Sequence, residues 1–511
     1  MKKHVVFVCL IAWMGTGIAQ PVIEWQKCYG GTETDQARVV LTASDGYLIV
    51  GRTNSSDADI ISNAGGIDFW VLKVDLNGMI LWSKNYGGTN NENPLSCRST
   101  SDGGYIIAGY TLSNDGDVYQ NHGDYDAWVL KIDSLGNIEW SQCYGGSNWD
   151  EAWDVLESTE GGYIFVGRSN SLDGDVTGNH GAMDYWVVKL SPSGEIVWQK
   201  SLGGSDLDIA YSIVETQQGG YIIAGESNSI DGDVSKNNGG PDYWIVKLDN
   251  EGKMEWEKVF GGSSADRASD IIQTPEGKYV VFGQSYSNDG DISNNHGGND
   301  WWLVALDQEG ALEWEKAIGG SGEEFARSIA ITNDEDYVMI GQTQSNNGDI
   351  VNNDGGADLW LVRMSSTGEI RWEKTFGGSL DEWGNAIKIL DSNGYIICGY
   401  ARSNDGDVSG VQGKSDYWVV KLSPETSPTQ TPQTQTLVLE PNPAGADVRL
   451  LIPEDIPTLL VHISDVSGRR IHTIKHPNGA NLDISGLPTG FYLISARAPD
   501  GRLFVGRLGK E

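Results

Sequence analysis

From Trp25 to Leu422, apolar and polar residues alternate in short runs such as IEWSQCY, GGYIIAG and DYWVVKL, each bounded by Gly, Asp, Asn or Ser. Period-two alternation rich in β-branched and aromatic residues predicts strands. The runs themselves recur. Trp25, Trp82, Trp140, Trp198, Trp256, Trp314 and Trp372 are spaced by 57 residues once and 58 residues five times, and Trp70, Trp128, Trp186, Trp244, Trp302, Trp360 and Trp418 keep 58 throughout. In the fourth unit the strands are expected at about 210–215, 221–226, 243–248 and 253–259, with hairpin turns at 217–220 and 249–252. Four antiparallel strands repeated about seven times predict an all-β fold, a β-propeller of 58-residue units, because solenoid repeats are usually shorter or helical.

The ends of the array fit each other. The last unit stops after 417–422 without a fourth strand, and an orphan strand stands at 22–29. If the orphan pairs with the last unit, the ring closes as seven blades and no blade edge is left open. Both tryptophan series are expected to fill the space between blades, where truncating one ring costs about 3–5 kcal/mol. The run VDLNGMILW and its copies resemble the Asp, Gly and Trp docking pattern of pyrroloquinoline-quinone-type propeller repeats. That resemblance implies architecture and no cofactor.

Composition narrows the partners. Acidic residues outnumber basic ones 71 to 35, for a formal charge of −36, so nucleic acid is excluded as a natural partner. Cations, basic surfaces and neutral glycans remain. Residues 1–19 carry Lys2 and Lys3, the apolar run VVFVCLIAWM, and Gly17 and Ala19, which reads as a cleavable secretory signal. No other segment is apolar enough to span a bilayer, so the mature chain is expected to have no transmembrane segment. Cys28, Cys97, Cys143 and Cys398 are expected to be small buried hydrophobes and not a disulfide framework or metal site.

Three acids recur in every unit. Asp208 returns as Asp35, Glu92, Asp150, Asp266, Glu324 and Glu382; Asp233 as Asp59, Asp117, Asp175, Asp291, Asp349 and Asp407; Asp242 as Asp68, Asp126, Asp184, Asp300, Asp358 and Asp416. A further Asp two residues before Asp233 recurs except at Asn347. If the Trp-bearing strand is outermost, these loops open on one strongly acidic face. Carboxylates there either accept backbone N–H bonds in turns or gather a cation. Calcium is the cofactor such oxygen clusters allow, with Asp117, Asp126, Asp175, Asp184, Asp233, Asp242, Asp291 and Asp300 as candidate ligands, although the order SNDGDV is not an EF-hand loop. His122, His180 and His296 read as turn residues. Trp149, Trp153, Trp301 and Trp383 break the repeat and are candidates to stack on sugars, against a packing role. No nucleophile–histidine–acid set or phosphate loop stands out.

Residues 423–436 form a Pro, Thr and Gln linker. Beyond it, in 437–511, tryptophan vanishes and strand patterns such as LLVHISD and FYLISAR predict a small Ig-like β-sandwich. This tail resembles the type A C-terminal sorting domain of type IX secretion systems through Pro441, Asn442, Pro443 and Ala444, through DVSGR with Asp465 and Gly468, and through LDISGLPTGFY with Gly490 and Tyr492. The resemblance implies export by the type IX machinery, then release or attachment at the outer-membrane surface. The leading expectation is a secreted or surface-held propeller that binds a glycan or a surface protein on its acidic face. A polysaccharide-active enzyme with its site in an irregular blade, and a surface spacer or adhesion module, are the alternatives. Near-identity of the units argues against catalysis, which needs unlike residues converging at one place.

Overall fold

The computed structural model describes residues 20–353, 355–425, 435–451, 458–465, 470–477, 481–497 and 503–511. The signal-sequence expectation and most of the linker lie outside these residues. Two compact units are present, Gln20–Glu425 and one within Thr426–Glu511.

The first unit contains seven four-stranded antiparallel sheets. The first of them runs Asp35–Ala43, Gly46–Thr53, Asp68–Asp75 and Ile80–Tyr86 in hydrogen-bonded order. The first strands of successive sheets lie against one another around an axis, while the fourth strands are exposed or half-buried along most of their length. Each first strand starts slightly earlier than its apolar pattern does. Asp208, for example, opens Asp208–Glu215 because its N–H donates to Met183 O of the preceding sheet at 2.7 Å.

The last sheet takes Glu382–Ile389, Tyr395–Ala401 and Asp416–Leu422 from its own unit and its outer strand, Ile23–Tyr29, from the other end of the propeller. Cys28 lies opposite Trp418 and Trp25 opposite Lys421. Side chains repeat the exchange. Trp186 Nε1 donates to Gln199 Oε1 at 3.0 Å within one unit, and Trp418 Nε1 donates to Gln26 Oε1 at 2.9 Å across the clasp. Tyr185 OH reaches Trp244 O of the next sheet at 2.8 Å, and Tyr417 OH reaches Trp70 O of the first sheet at 3.0 Å, so the last sheet meets the first as any sheet meets its neighbour.

Between neighbouring sheets lies apolar core. One cluster joins Ile164, Val166, Tyr185 and Val187 of one sheet to Ile213, Ile223, Trp244 and Val246 of the next, all buried. The outer tryptophans bridge sheets as well. Trp25 Nε1 donates to Leu76 O at 3.1 Å in the adjoining hairpin turn, and Gly252 sits so near Trp198 that a Cβ there would lie 2.9 Å from the ring. Gly252 also has φ of 77°, so both the turn and the indole require glycine.

The second unit pairs a five-stranded with a three-stranded sheet around one core that includes Leu439, Val448, Leu450, Val461, Ile463, Leu482, Ile494, Ala496, Phe504 and Leu508. Cys28, Cys97, Cys143 and Cys398 are free thiols in the first unit. No helix among the described residues is long and apolar enough to cross a membrane.

Candidate ligand site in the central channel

The recurring acids are spent on the joints between sheets. Asp208 is buried and accepts Gly204 N at 2.8 Å, Ser229 Oγ at 2.9 Å and the Ser227 hydroxyl, which ties the inter-sheet turn to the end of the second strand. Asp233 accepts Gly203 N at 3.2 Å. Asp242 is buried and accepts Asn238 N at 2.6 Å; Asp126, Asp184 and Asp300 accept both the N–H and the Nδ1 of His122, His180 and His296 at 2.7–2.8 Å. Asp117, Asp175 and Asp291 likewise take the N–H of Gly87, Gly145 and Gly261. Burial pushes Asp68 and Asp242 up to about 7, and Asp126, Asp208 and Asp416 up to about 6.

The expectation that all three series form an exposed acidic face is therefore corrected. Two of the three series are inside, because the backbone N–H groups they satisfy are inside. The third, around Asp233, is mostly half-buried; the exposed acids are those of the further series around Asp231, where Asn347 Oδ1 accepts Ser321 N at 2.8 Å as Asp231 Oδ1 accepts Ser205 N at 2.7 Å. A neutral amide does the same work, so the position needs an acceptor more than a charge. Among the described residues, no group of three or more His, Cys, Asp or Glu side chains is gathered so as to hold a metal ion.

The unlike residues meet elsewhere. Each axial strand carries one β-bulge, and the extra residues are Arg38, Leu95, Trp153, Tyr211, Ser269, Arg327 and Asn385. A bulge leaves one residue unpaired and re-aims its side chain. The glycine opposite admits it closely: a Cβ on Gly51 would lie 2.1 Å from Gln36 O. All seven bulge residues line one cavity of about 260 Å³ on the axis, together with Arg267, Ala268 and Gln284. The cavity wall is divided. Going round the ring, Ser269, Arg327, Asn385 and Arg38 form a polar, cationic arc, and Leu95, Trp153 and Tyr211 form an apolar, aromatic one.

Charge in this upper channel runs opposite to the charge of the chain. Arg168 pairs with Glu151 at 2.9 Å and Arg267 with Glu226 at 2.7 Å. Arg52 rests on the neutral Gln36 Oε1, at 3.0 Å from Nε. Arg38 and Arg327 have no ion-pair or hydrogen-bond partner among the described residues, and Arg327 Nε is buried. Burial pulls the Arg38 guanidinium down to about 10, and the nearby charges of Arg327 and Arg52 add to it. Burial lowers Arg327 too. The next layer of the channel is balanced: Arg98 pairs with Asp154 at 3.1 Å, and Lys388 lies near Asp270 and Asp154. Asp154 and Asp270 also accept Ile213 N and Ile329 N of neighbouring sheets at 3.1 and 3.0 Å, so this layer serves the ring's own structure.

Of the tryptophans that break the repeat, Trp153 faces the cavity, edge-on to Tyr211 at 4.9 Å. Trp383 stands just outside it, stacked on Tyr400 at 5.6 Å with the Arg327 guanidinium 5.1 Å from its ring. Trp149 is 37 % exposed and packs against Tyr125 at 4.8 Å. Trp301 is removed from the candidates: it is fully buried against Trp360 at 4.2 Å, in the position that Tyr185 and Tyr243 fill in other units. The reading by recurring columns missed Arg38, Arg327, Tyr211 and Asn385. Their signal was present as an axial column in which the units disagree, R, L, W, Y, S, R, N, directly after a column of small residues.

In the second unit, Asn442 holds the last strand at both ends of its amide, donating Nδ2 to Arg507 O at 2.7 Å and accepting Gly509 N at 2.8 Å. Pro441 and Pro443 flank it. Tyr492 OH donates to Pro488 O at 2.7 Å, Gly490 opens the strand Gly490–Arg497, and Asp465 lies opposite Tyr492. Gly468 lies outside the described residues.

Residues 439–504 match the family described as the secretion system C-terminal sorting domain. The regulatory protein FlaEY of Caulobacter vibrioides is 26% identical over 211 residues, which cover 38% of this chain and 22% of that protein, so the chain spans about a fifth of that relative's length. Among solved structures, a member of the DUF4221 family from Bacteroides vulgatus is similar at 10% identity and a TM-score of 0.34, over 71% of this chain and all of that one. The WD40 domain of Pan2 from Neurospora crassa is similar at 10% identity and a TM-score of 0.32, over 66% and 97% of the two chains. With Asn442, Asp465, Gly490 and Tyr492 placed on one two-sheet unit and its sequence matched over 439–504, the C-terminal unit is a type IX sorting domain, and it marks the chain for export and for secretion or cell-surface attachment.

Proposed function

We propose that this exported protein is a binding protein whose propeller receives a small ligand in the axial cavity. The observation that supports this reading most is that seven bulges place unlike residues around a single cavity in a chain whose units repeat their tryptophans, turns and buried acids. Packing alone would be served by one residue type in all units. Concave sites that combine apolar surface with convergent polar groups are where small ligands bind. This moves the binding surface from the loop face to the channel.

The test is calorimetric titration of the full-length protein with a panel of neutral sugars, acidic sugars and aromatic acids. Saturable one-to-one binding that is lost in Trp153→Ala, with the melting temperature kept within a few degrees, is the expected result. Conversion of the titrant into product would replace this reading with the enzyme alternative. Silence across the panel would favour the spacer or adhesion module.

A further inference from the structure

We propose that the channel ligand is a carboxylate borne on a ring, with the carboxylate held between Arg38 and Arg327 and the ring laid on Trp153 and Tyr211. This rests on the channel reading above and names its ligand class.

The cationic arc asks for an anion. Arg38 and Arg327 line the same cavity, the Arg327 charge acts on Arg38, and neither meets a carboxylate among the described residues. Two like charges partly withdrawn from water and left unpaired are unfavourable, and an anion placed between them relieves both. Arg267, which also lines the wall, does not share this state, because Glu226 already neutralises it. Asn385 stands between the two free guanidinium groups in ring order, with Nδ2 committed to Ala37 O at 2.7 Å.

The opposite arc asks for ring surface. Trp153 Nε1 donates to Glu151 Oε2 at 2.9 Å, and Tyr211 OH donates to Glu226 Oε1 at 2.8 Å. Their polar atoms are therefore engaged with the wall, and Leu95 beside them adds only aliphatic surface. What this arc offers the cavity is aromatic faces and edges, suited to a sugar ring or an aromatic ring. Size sets the limit. A dry cavity of about 150 Å³ holds benzene, so about 260 Å³ holds one substituted ring. Uronic acids and benzoic acids share this chemistry.

Full-length protein is titrated with glucuronate and benzoate, each beside its uncharged counterpart, glucose and benzyl alcohol, and with inorganic phosphate. Saturable binding of at least one carboxylate, at least tenfold tighter than its counterpart, is expected, and which pair shows it separates the sugar source from the aromatic one. Arg38→Met and Arg327→Met should each weaken that binding at least tenfold, and Trp153→Ala should weaken it without restoring the counterpart's affinity. Counterparts binding as tightly as the carboxylates would overturn the anion claim and leave the channel reading standing. Phosphate binding equal to the carboxylates, and indifferent to Trp153→Ala, would overturn the ring claim. No binding of any titrant overturns the inference. The comparison of charged with uncharged titrants needs no variant to fold.

Discussion

Replacing Arg38 by methionine removes a charge that the propeller carries at a cost, so this variant should be more stable than the parent. The size follows from the site. A guanidinium held at about 10 instead of 12.5 is disfavoured by about 3 kcal/mol, at about 1.4 kcal/mol for each pKa unit. Both the folded and the unfolded chain keep the proton below about pH 10, so the cost is present in full at neutral pH. Arg38 is half-buried beside an open cavity, and screening there halves the figure to about 1–2 kcal/mol. Methionine conserves most of the volume and asks for no partner. Urea unfolding of the ligand-free protein, followed by tryptophan fluorescence, reports on the propeller, since no tryptophan follows Trp418. The midpoint should rise, with a melting temperature higher by about 1–4 °C. A loss of about 1 kcal/mol or more would show that Arg38 makes structural bonds, and the argument from an unpaired charge would fail. A rise in stability together with a loss of carboxylate binding is the trade expected of a residue kept for a ligand.

Acidification should stabilise the propeller over part of the range. Asp68 and Asp242 at about 7, and Asp126, Asp208 and Asp416 at about 6, hold protons in the folded chain that the unfolded chain has already lost, so stability falls as pH rises from about 4 through those values. Melting should be higher at pH 5.5 than at pH 7.5, and the double variant Asp68→Asn, Asp242→Asn should flatten the slope; a reversed slope in the parent would refute this assignment. At the clasp, Gln26→Ala should cost about 1 kcal/mol, as should Gln199→Ala in an ordinary sheet, because each removes the acceptor of a buried indole N–H. Equal midpoints for Gln26→Ala and the parent, with a loss in Gln199→Ala, would contradict the closure. Asn347→Asp should change stability by less than about 0.5 kcal/mol, and calcium titration of that variant should show no saturable heat if these positions serve as turn acceptors. Removal of 437–511 should leave the propeller inside cells that export the full chain, as immunoblots of cell and medium fractions would show.

What was legible in the chain was whatever every unit repeats. Trp70 and its copies, the hairpin turns, and the spare strand at the N-terminus against the missing one at the C-terminus gave the sheets and their closure, because period and alternation are direct images of strand and turn. The acids were legible as a register but not as a location. A carboxylate that caps a buried N–H and one that faces water have the same neighbours in sequence, so Asp126 and Asp242 read like a rim although they are buried. The cavity was hidden for a further reason. Alternation assigns Arg38 to a face by counting from Asp35, and the bulge between Ala37 and Val39 breaks the count. Trp153 stands out in the sequence by the size of its ring; Arg327 and Asn385, in the same column, do not. Motifs of the tail were legible as words, and their folded role, such as Asn442 clamping the last strand, was not.

The central claim is that the seven bulge residues surround a ligand, and a heavy atom can report that directly. Crystals of the full-length protein soaked in 4-bromobenzoate should show an anomalous bromine peak in the axial cavity against Trp153 and Tyr211, with carboxylate density between Arg38 and Arg327. A cavity without bromine, with peaks confined to the loop face or the blade exteriors, would contradict it.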